Sequence, residues 1–451
     1  MFDSVLVANR GEIARRVVRT ARQMGIRAIA VYSDADVDLP FVAEADEAVR
    51  LGPAAVGASY RDVDAVLAAA RATNAAAIHP GYGFLSEDAG FAEAVVAAGM
   101  IWVGPDPASI TAMGDKIAAR AVMRAAGVPV VPGSSGAVRT ADDAVAAAAD
   151  VGYPVMIKAA AGGGGMGMAV VADPDRLPAA FAQVAGVAQR LFGDPAVFVE
   201  RYFTSVRHVE VQILGLADGR VLALGERDCS VQRRHQKVAE ETPSPAFSGP
   251  ADPVRAALLD AAREAGRAVE YRGAGTVEFL LAGSGPTAEF FFLEMNTRLQ
   301  VEHPITEAVL GIDLVQAQFR IAAGADVGFD ESSPVSSGHA LELRINAEDA
   351  RRFLPGPGVI TAWVEPSGDG IRVDAGYRNG NTVTPHYDSL MAKLIVHAPD
   401  RATGLARARA AVAEFTVTGP KCNLAFHAEL LANPEFVAGT YDTGLVDRMR
   451  A

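Results

Sequence analysis

The stretch Glu294-Met295-Asn296-Thr297-Arg298-Leu299-Gln300-Val301-Glu302 carries a polar side chain at every second position. An extended backbone sends alternate side chains to opposite faces. One face would then hold two carboxylates, a guanidinium and two amides. The preceding Phe290-Phe291-Phe292-Leu293 reads as a strand buried on both faces, so the loaded continuation is expected to line a cleft. Its partner is Thr276-Val277-Glu278-Phe279-Leu280-Leu281, joined through Gly283-Ser284-Gly285-Pro286. That spacing predicts a hairpin, and a register centred near the loop puts Glu278 and Glu294 on one face. Two carboxylates about 4 Å apart repel by roughly 4 kcal/mol at an effective dielectric of about 20. A divalent cation turns the repulsion into coordination, and Mg²⁺ favours carboxylate oxygen shared with substrate phosphate.

Cation usage is the second signal. Of 41 Lys plus Arg, five are lysines: Lys116, Lys158, Lys237, Lys393 and Lys421. A chain that otherwise uses arginine is expected to keep lysine where a compact, flexible ammonium is needed. Lys116 follows Met113-Gly114-Asp115, and Asp115 is placed to cap a helix from Ile117 to Ala126. Lys158 ends the apolar run Tyr153-Pro154-Val155-Met156-Ile157, and Gly162-Gly163-Gly164-Gly165-Met166-Gly167 follows at once. Glycines there let backbone N–H groups approach a phosphate without Cβ obstruction. No Gly-Lys-Ser/Thr follows, which excludes a Walker A loop. Lys237 closes a stretch with Arg227, Arg233, Arg234 and His235, which reads as a local anion site in a chain of net charge -13. The acidic balance and the lack of interleaved aromatics argue against nucleic acid.

These groups need elements to position them. A length of 451 residues predicts about three domains at ~150 residues each. Residues 1 to about 113 alternate a strand at Ser4 to Ala8, a helix at Glu12 to Met24 and a strand at Ala28 to Tyr32, the pattern of an open parallel α/β sheet. The first turn, Asn9-Arg10-Gly11, is not Gly-x-Gly-x-x-Gly and supports no dinucleotide site. Beyond residue 331, strands are expected at Val359 to Val364 and Met391 to His397, then a helix from Arg401 to Phe415. Cys229 and Cys422 are too few for a disulfide framework, consistent with a reducing, cytoplasmic setting. Cys229 is expected to be a buried packing thiol. No apolar run reaches ~18 residues, so no membrane span is expected. The N-terminus lacks the basic flank of a signal peptide.

Taken together, the chain resembles the biotin carboxylases, members of the ATP-grasp ligases, over essentially its whole length. The resemblance rests on Val7-Ala8-Asn9-Arg10-Gly11-Glu12-Ile13-Ala14, His79 to Glu87, Met113 to Lys116, Arg207-His208-Val209-Glu210, Glu226 to Lys237, Glu294 to Pro304, Arg344 to Asp349, and Tyr387-Asp388-Ser389. It implies an α/β (α+β) chain with an ATP-grasp fold. An N-terminal open parallel α/β domain would span residues 1–113, an ATP-grasp domain 114–330 with a mobile lid at about 131–203, and a C-terminal mixed domain 331–451.

The resemblance also implies roles. Lys116, Lys158 and the amides of Gly163, Gly164, Gly165 and Gly167 would bind ATP phosphates. Glu200, Arg201 and Phe203 belong to the strand whose backbone would meet adenine, with His208, Gln232 and His235 on the ribose side. Glu278, Glu294 and Asn296 would hold Mg²⁺ (or Mn²⁺). Arg298, Lys237, Gln300 and the Val301 N–H would bind bicarbonate, and Glu302 would take its proton. Tyr82 and Gly83 would seat biotin, and Arg344 would stabilise its ureido oxyanion. After the glycine run, Met166 and Ala169 stand where the family most often has basic residues.

No lysine follows a methionine, as the family's biotin-accepting lysine does. Biotin is therefore expected as a carrier-bound substrate, on another subunit or on a segment beyond residue 451. A carboxyltransferase subunit and self-association into a homo-oligomer complete the expected partners. Two rivals stand beside this: another ATP-grasp ligase using carboxyphosphate, and a catalytically silent nucleotide-binding subunit.

Overall fold

The computed structural model describes residues 1–134, 136–160, 167–327, 329 and 335–451. Near the N-terminus, β1 (Ser4–Val7), β2 (Arg27–Ser33), β3 (Glu47–Gly52), β4 (Ala77–His79) and β5 (Ile101–Trp102) form one sheet in the order β3-β2-β1-β4-β5. Every pairing in it is parallel. Parallel strands need crossover connections, and the helix Gly11–Gln23 supplies the first of them. Val5, Leu6 and Val7 are fully buried, as strands covered on both faces must be.

A three-stranded antiparallel sheet follows, built from β6 (Val155–Ala159), β7 (Met168–Val171) and β8 (Val197–Arg201) in the order β7-β6-β8. The helices Ala141–Val151 and Leu177–Phe192 pack against it. Val155, Ile157, Val171, Val197 and Val199 form an apolar cluster with Phe181 that is separate from the other cores.

The largest sheet has eight strands. It uses β9 (Val206–Gly215), β10 (Val221–Arg233), β11 (Gln236–Thr242), β12 (Gly273–Ala282), β13 (Glu289–Asn296) and β14 (His339–Asn346). The remaining strands are β15 (Gly358–Val359), β16 (Ala362–Val364), β17 (Ile371–Ala375), β18 (Thr382–Val383), β19 (Leu390–Ala398) and β20 (Thr416–Thr418). The order β13-β12-β9-β10-β11-β14-β19-β17 runs without a break past residue 331. Strands from the end of the chain thus extend a sheet begun in its middle.

Three sequence expectations are corrected here. The strand expected at Val359 to Val364 is two short pieces: β15 pairs with β18 and β16 with β20. Between them the Ile360 amide bonds the Asn381 carbonyl and the Thr361 amide bonds the Thr418 carbonyl, so the chain changes partners there. Leu293 is 36% exposed rather than buried, because it is the bulged residue of β13: the register steps from Glu278–Glu294 to Phe279–Phe292 and leaves it without a cross-strand partner. Finally, β13 stops at Asn296, and residues 297–302 turn into the helix His303–Leu310. Strand alternation therefore does not order Arg298, Gln300 and Glu302; the loop does.

One carboxylate ties the start of the helix Arg401–Glu414 and the loop at Tyr441 to the sheet. Glu241 on β11 accepts from Arg401 at 2.7 and 2.9 Å and from the Tyr441 hydroxyl at 2.6 Å, with His339 Nε2 at 2.7 Å. Burial works against its charge, but these hydrogen bonds and Arg401 hold its pKa down at about 2. A depressed folded-state pKa contributes stability above the unfolded-state value, and that stability is lost as pH falls through the folded value. For Glu241 this is worth about 3 kcal/mol. Glu241→Gln should accordingly lose about that much at pH 7 in urea unfolding followed by circular dichroism. The gap to the unaltered protein should narrow as pH falls from 4.5 toward 2; a gap that stays constant over that range would refute the linkage.

Candidate active site

The site grows from cross-strand pairing. Glu278 on β12 stands directly opposite Glu294 on β13 and Glu210 on β9, and Glu210 stands opposite Arg227 on β10. One row across four strands thus reads Arg227, Glu210, Glu278, Glu294. Like charges directly opposite one another are destabilising, so three carboxylates in line need cations. Lys237, from β11, supplies one. Its Nζ donates to Glu210 at 2.5 Å, Glu278 at 2.9 Å and Glu302 at 2.7 Å. An ammonium has three donors on a compact centre, which suits this task better than a planar fork. Glu278 and Glu210 hold Lys237 well above its usual pKa, against the effect of burial.

Each carboxylate then finds a second partner. Glu210 accepts from Arg227 Nε at 2.6 Å. Glu278 accepts from Asn296 at 2.8 Å and Gln300 at 2.7 Å, and His208 Nε2 lies 3.0 Å from its other oxygen. Glu302 accepts from Arg344 at 2.9 Å, and Arg344 donates onward to Glu240 at 2.7 Å. Burial opposes the charge on Glu302, yet Lys237 and Arg344 keep its carboxyl far below the usual range. Burial raises the Cys229 thiol; its Sγ lies 4.0 Å from Glu302.

Arg298 leaves the loop toward the N-terminal sheet. Its Nε donates to Glu87 at 2.8 Å, and its Nη2 donates to Asn296 at 2.9 Å. Glu87 also accepts from the Thr297 amide at 3.1 Å, so two distant blocks meet there. Nearby, the Tyr82 hydroxyl donates to Glu12. Gly83 takes a left-handed φ of +68°, and nothing lies within 4 Å of where its Cβ would be. Val301 lies half-buried in the loop, and its carbonyl accepts from Lys393 at 2.9 Å.

The residues expected on the nucleotide side fall in separate groups. Lys116 lies 3.6 Å from Glu294; the lysine is largely open to solvent and the glutamate partly so. Asp115 Oδ1 accepts from the Ala118 amide at 3.0 Å, capping the helix Lys116–Ala125. Lys158 pairs with Glu200 at 2.5 Å, and Arg120 shares that carboxylate. Burial, Arg120 and Lys116 push Lys158 down to about 7, while Glu294 works the other way. The Arg201 guanidinium sits over the Phe203 ring, which stacks on Phe291 at 5.1 Å. Gly167 has φ +71°. Gly163, Gly164, Gly165 and Met166 lie outside the described residues. Gln232 and His208 are joined at 2.9 Å, and His235 is exposed in the tight turn between β10 and β11.

One reading of the sequence needs correction. The stretch Glu226 to Lys237 is not a free anion patch. Arg227 is fully buried, bonded to Glu210, Gln212, Thr276, Gln300 and Thr306. Arg233 covers the Phe353 ring. Glu210, Arg227 and Glu240 are structural partners of the site that composition alone did not single out as such. Their only sequence signal is placement within the motif blocks or, for Glu240, three residues past Lys237.

A metal fits one part of this geometry better than another. The space among Glu210, Glu278 and Glu302 is taken by the Lys237 ammonium. Glu278, Glu294 and Asn296 instead offer oxygen donors from paired strands, with Glu294 partly exposed, and such a donor set suits Mg²⁺.

Comparison with known proteins places this arrangement. Residues 1–110 match the family model for the biotin carboxylase N-terminal domain, 115–329 that for the carbamoyl-phosphate synthase L chain ATP-binding domain, and 342–448 that for the biotin carboxylase C-terminal domain. A biotin carboxylase of Nostoc sp. is 47% identical over 449 residues, covering 99% of both chains. A crystal structure of a Campylobacter jejuni biotin carboxylase–βγ-ATP complex superposes with a TM-score of 0.93 at 42% identity, again covering 99% of each chain. The biotin carboxylase domain of the Hydrogenobacter thermophilus 2-oxoglutarate carboxylase, solved with MgADP, ADP and bicarbonate, gives a TM-score of 0.91 at 38% identity over 99% of this chain and 98% of that one. Identity of this extent, joined to three consecutive family matches, shows that the chain belongs to the biotin carboxylases.

Proposed function

We propose that the chain carboxylates biotin at the expense of ATP and bicarbonate, forming a carbon–nitrogen bond. The observation that carries this reading is the chain of contacts Lys237–Glu302–Arg344 at the end of the Glu278–Glu294 hairpin. It joins an anion-binding cation, a buried carboxylate and a guanidinium at one point.

In this reading Lys116, Lys158 and the glycine-run amides bind the phosphates, and Glu278, Glu294 and Asn296 hold Mg²⁺. The metal, when bound with nucleotide, neutralises charge on the β- and γ-phosphates. Phosphoryl transfer needs mainly positioning and charge neutralisation, and this wall supplies both. Arg298 offers bicarbonate a bidentate fork, with Lys237, Gln300 and the Val301 N–H beside it. Glu302 is a weak base while two cations hold it. An entering anion competes for Lys237, which loosens one ion pair and raises the basicity of the carboxylate. The base is thus strengthened by its own substrate. A bicarbonate oxygen attacks the γ-phosphorus and ADP leaves, giving carboxyphosphate. This breaks to CO₂ and phosphate beside biotin, the phosphate takes the ureido N1 proton, and N1 attacks CO₂ to form the carbon–nitrogen bond. Arg344 steadies the ureido oxyanion, and Tyr82 with Gly83 seats the ring.

Biotin arrives on a carrier protein or domain, and a carboxyltransferase subunit passes the carboxyl group to the final acceptor. Self-association and a cytoplasmic site belong to the same reading. No helix among the described residues is long and apolar enough to cross a membrane.

Two outcomes test the assignment. In CO₂-depleted buffer with Mg²⁺, ATP hydrolysis should require added bicarbonate and should rise further with free biotin; equal rates with and without bicarbonate would refute it. Glu302→Gln should cut kcat by about 10²- to 10⁴-fold, the usual worth of a general base. Its ATP affinity, measured by calorimetry, should stay near that of the unaltered protein. Near-normal kcat would remove Glu302 from the chemistry.

A further inference from the structure

Among the described residues, one fully buried lysine has no task in the reaction above. Lys393 lies on β19 with no exposed side-chain surface. Its Nζ is 3.1 Å from Glu12 Oε2 and donates to the Val301 carbonyl at 2.9 Å. Glu12 occupies the first turn of the helix Gly11–Gln23, and its other oxygen accepts from the Tyr82 hydroxyl. Across the sheet, Lys393 stands opposite Arg344 on β14 and Asp374 on β17.

Burying an ammonium is costly unless partners compensate it. Here the partners come from two separate parts of the chain, and both lead to the site. The Val301 carbonyl belongs to the peptide that joins Val301 to Glu302. Fixing its direction fixes the plane from which the Glu302 side chain departs. Glu12 leads through one hydroxyl to the ring that would seat biotin. The chain Tyr82–Glu12–Lys393–Val301 therefore connects the two seats whose contents must meet.

We propose that Lys393 is a positioning residue: paired with Glu12 and bonded to the Val301 carbonyl, it fixes the loop that presents Glu302 and ties it to the Tyr82 seat. The inference rests on the assignment of Glu302 and Val301 to bicarbonate. Small misplacements of reacting groups cost large factors in rate, so loosening this loop should act on bicarbonate and leave nucleotide alone.

The test is steady-state ATP hydrolysis by the whole protein, with bicarbonate, ATP and free biotin varied in turn. Lys393→Met should raise KM for bicarbonate by about tenfold while KM for ATP stays within about twofold. The charge-balanced variant Lys393→Met/Glu12→Gln removes both buried charges together and leaves neither unpaired. It should show the same rise for bicarbonate and a rise for biotin as well. Tyr82→Phe keeps Lys393 paired and reads the link from the other end: KM for bicarbonate should rise together with that for biotin. A unchanged bicarbonate KM in a soluble Lys393 variant overturns the inference, as does a loss of kcat with every KM unchanged. If neither Lys393 variant folds, Tyr82→Phe decides, and a rise for biotin alone overturns the coupling. Absence of bicarbonate dependence in the unaltered protein would overturn the functional assignment instead.

Discussion

The structure depends on one buried ammonium. Lys237 sits among Glu210, Glu278 and Glu302, each within 2.9 Å of its Nζ. Without it, the Glu210–Glu278–Glu294 row would set carboxylates of one sign side by side across three strands. Breaking a buried ion pair by deleting one partner costs about 3–5 kcal/mol, because the remaining charge stays buried and unpaired. Here three carboxylates would each lose a cation. The same constraint propagates outward. Glu210 needs Arg227, Glu302 needs Arg344, and Arg344 in turn needs Glu240. The pattern is an alternation of sign along these contacts, whereas the strand register itself sets Glu278 between Glu210 and Glu294.

This alternation explains why lysine survives in a chain that otherwise chooses arginine. At Lys237 a point charge with three donors must meet three carboxylates. At Lys393 it must meet a carboxylate and a carbonyl in full burial. A guanidinium brings a plane and a larger body to either place. Arginine does appear in the same network where a fork is used in full: Arg227 reaches five partners from one buried position.

Much of this was legible in the sequence, for local reasons. The hairpin announced itself through two apolar runs and a glycine-containing loop, and counting outward from that loop paired Glu278 with Glu294. The parallel sheet of the first hundred residues followed from the alternation of strands and helices, and the cap at Asp115 from its place before a helical run. What escaped was non-local. Periodicity suggested that the strand continues to Glu302, but it ends at Asn296, and the last three polar groups reach the site from a loop. Arg227 looked like part of an anion patch because its partners, Glu210, Thr276 and Thr306, lie on elements far away in sequence. Leu293 reads as core from its neighbours and is exposed because a bulge leaves it without a cross-strand partner. No local pattern states where a bulge will fall.

The eight-stranded sheet and the small three-stranded one divide the site mechanically. Lys237, Glu278, Glu294, Arg344 and Lys393 all hang on a single antiparallel hydrogen-bonded lattice, whereas Lys158 and Glu200 hang on another with an apolar core of its own. The two lattices share no strand, so the spacing within the larger one is set without the smaller. Under the proposed function, changes to the smaller sheet would alter how long nucleotide stays, while the spacing of the carboxylates around their anion is inherited from the larger sheet. The two could drift apart in evolution at different speeds, one tuned to energy supply and the other held to the geometry of a single small anion.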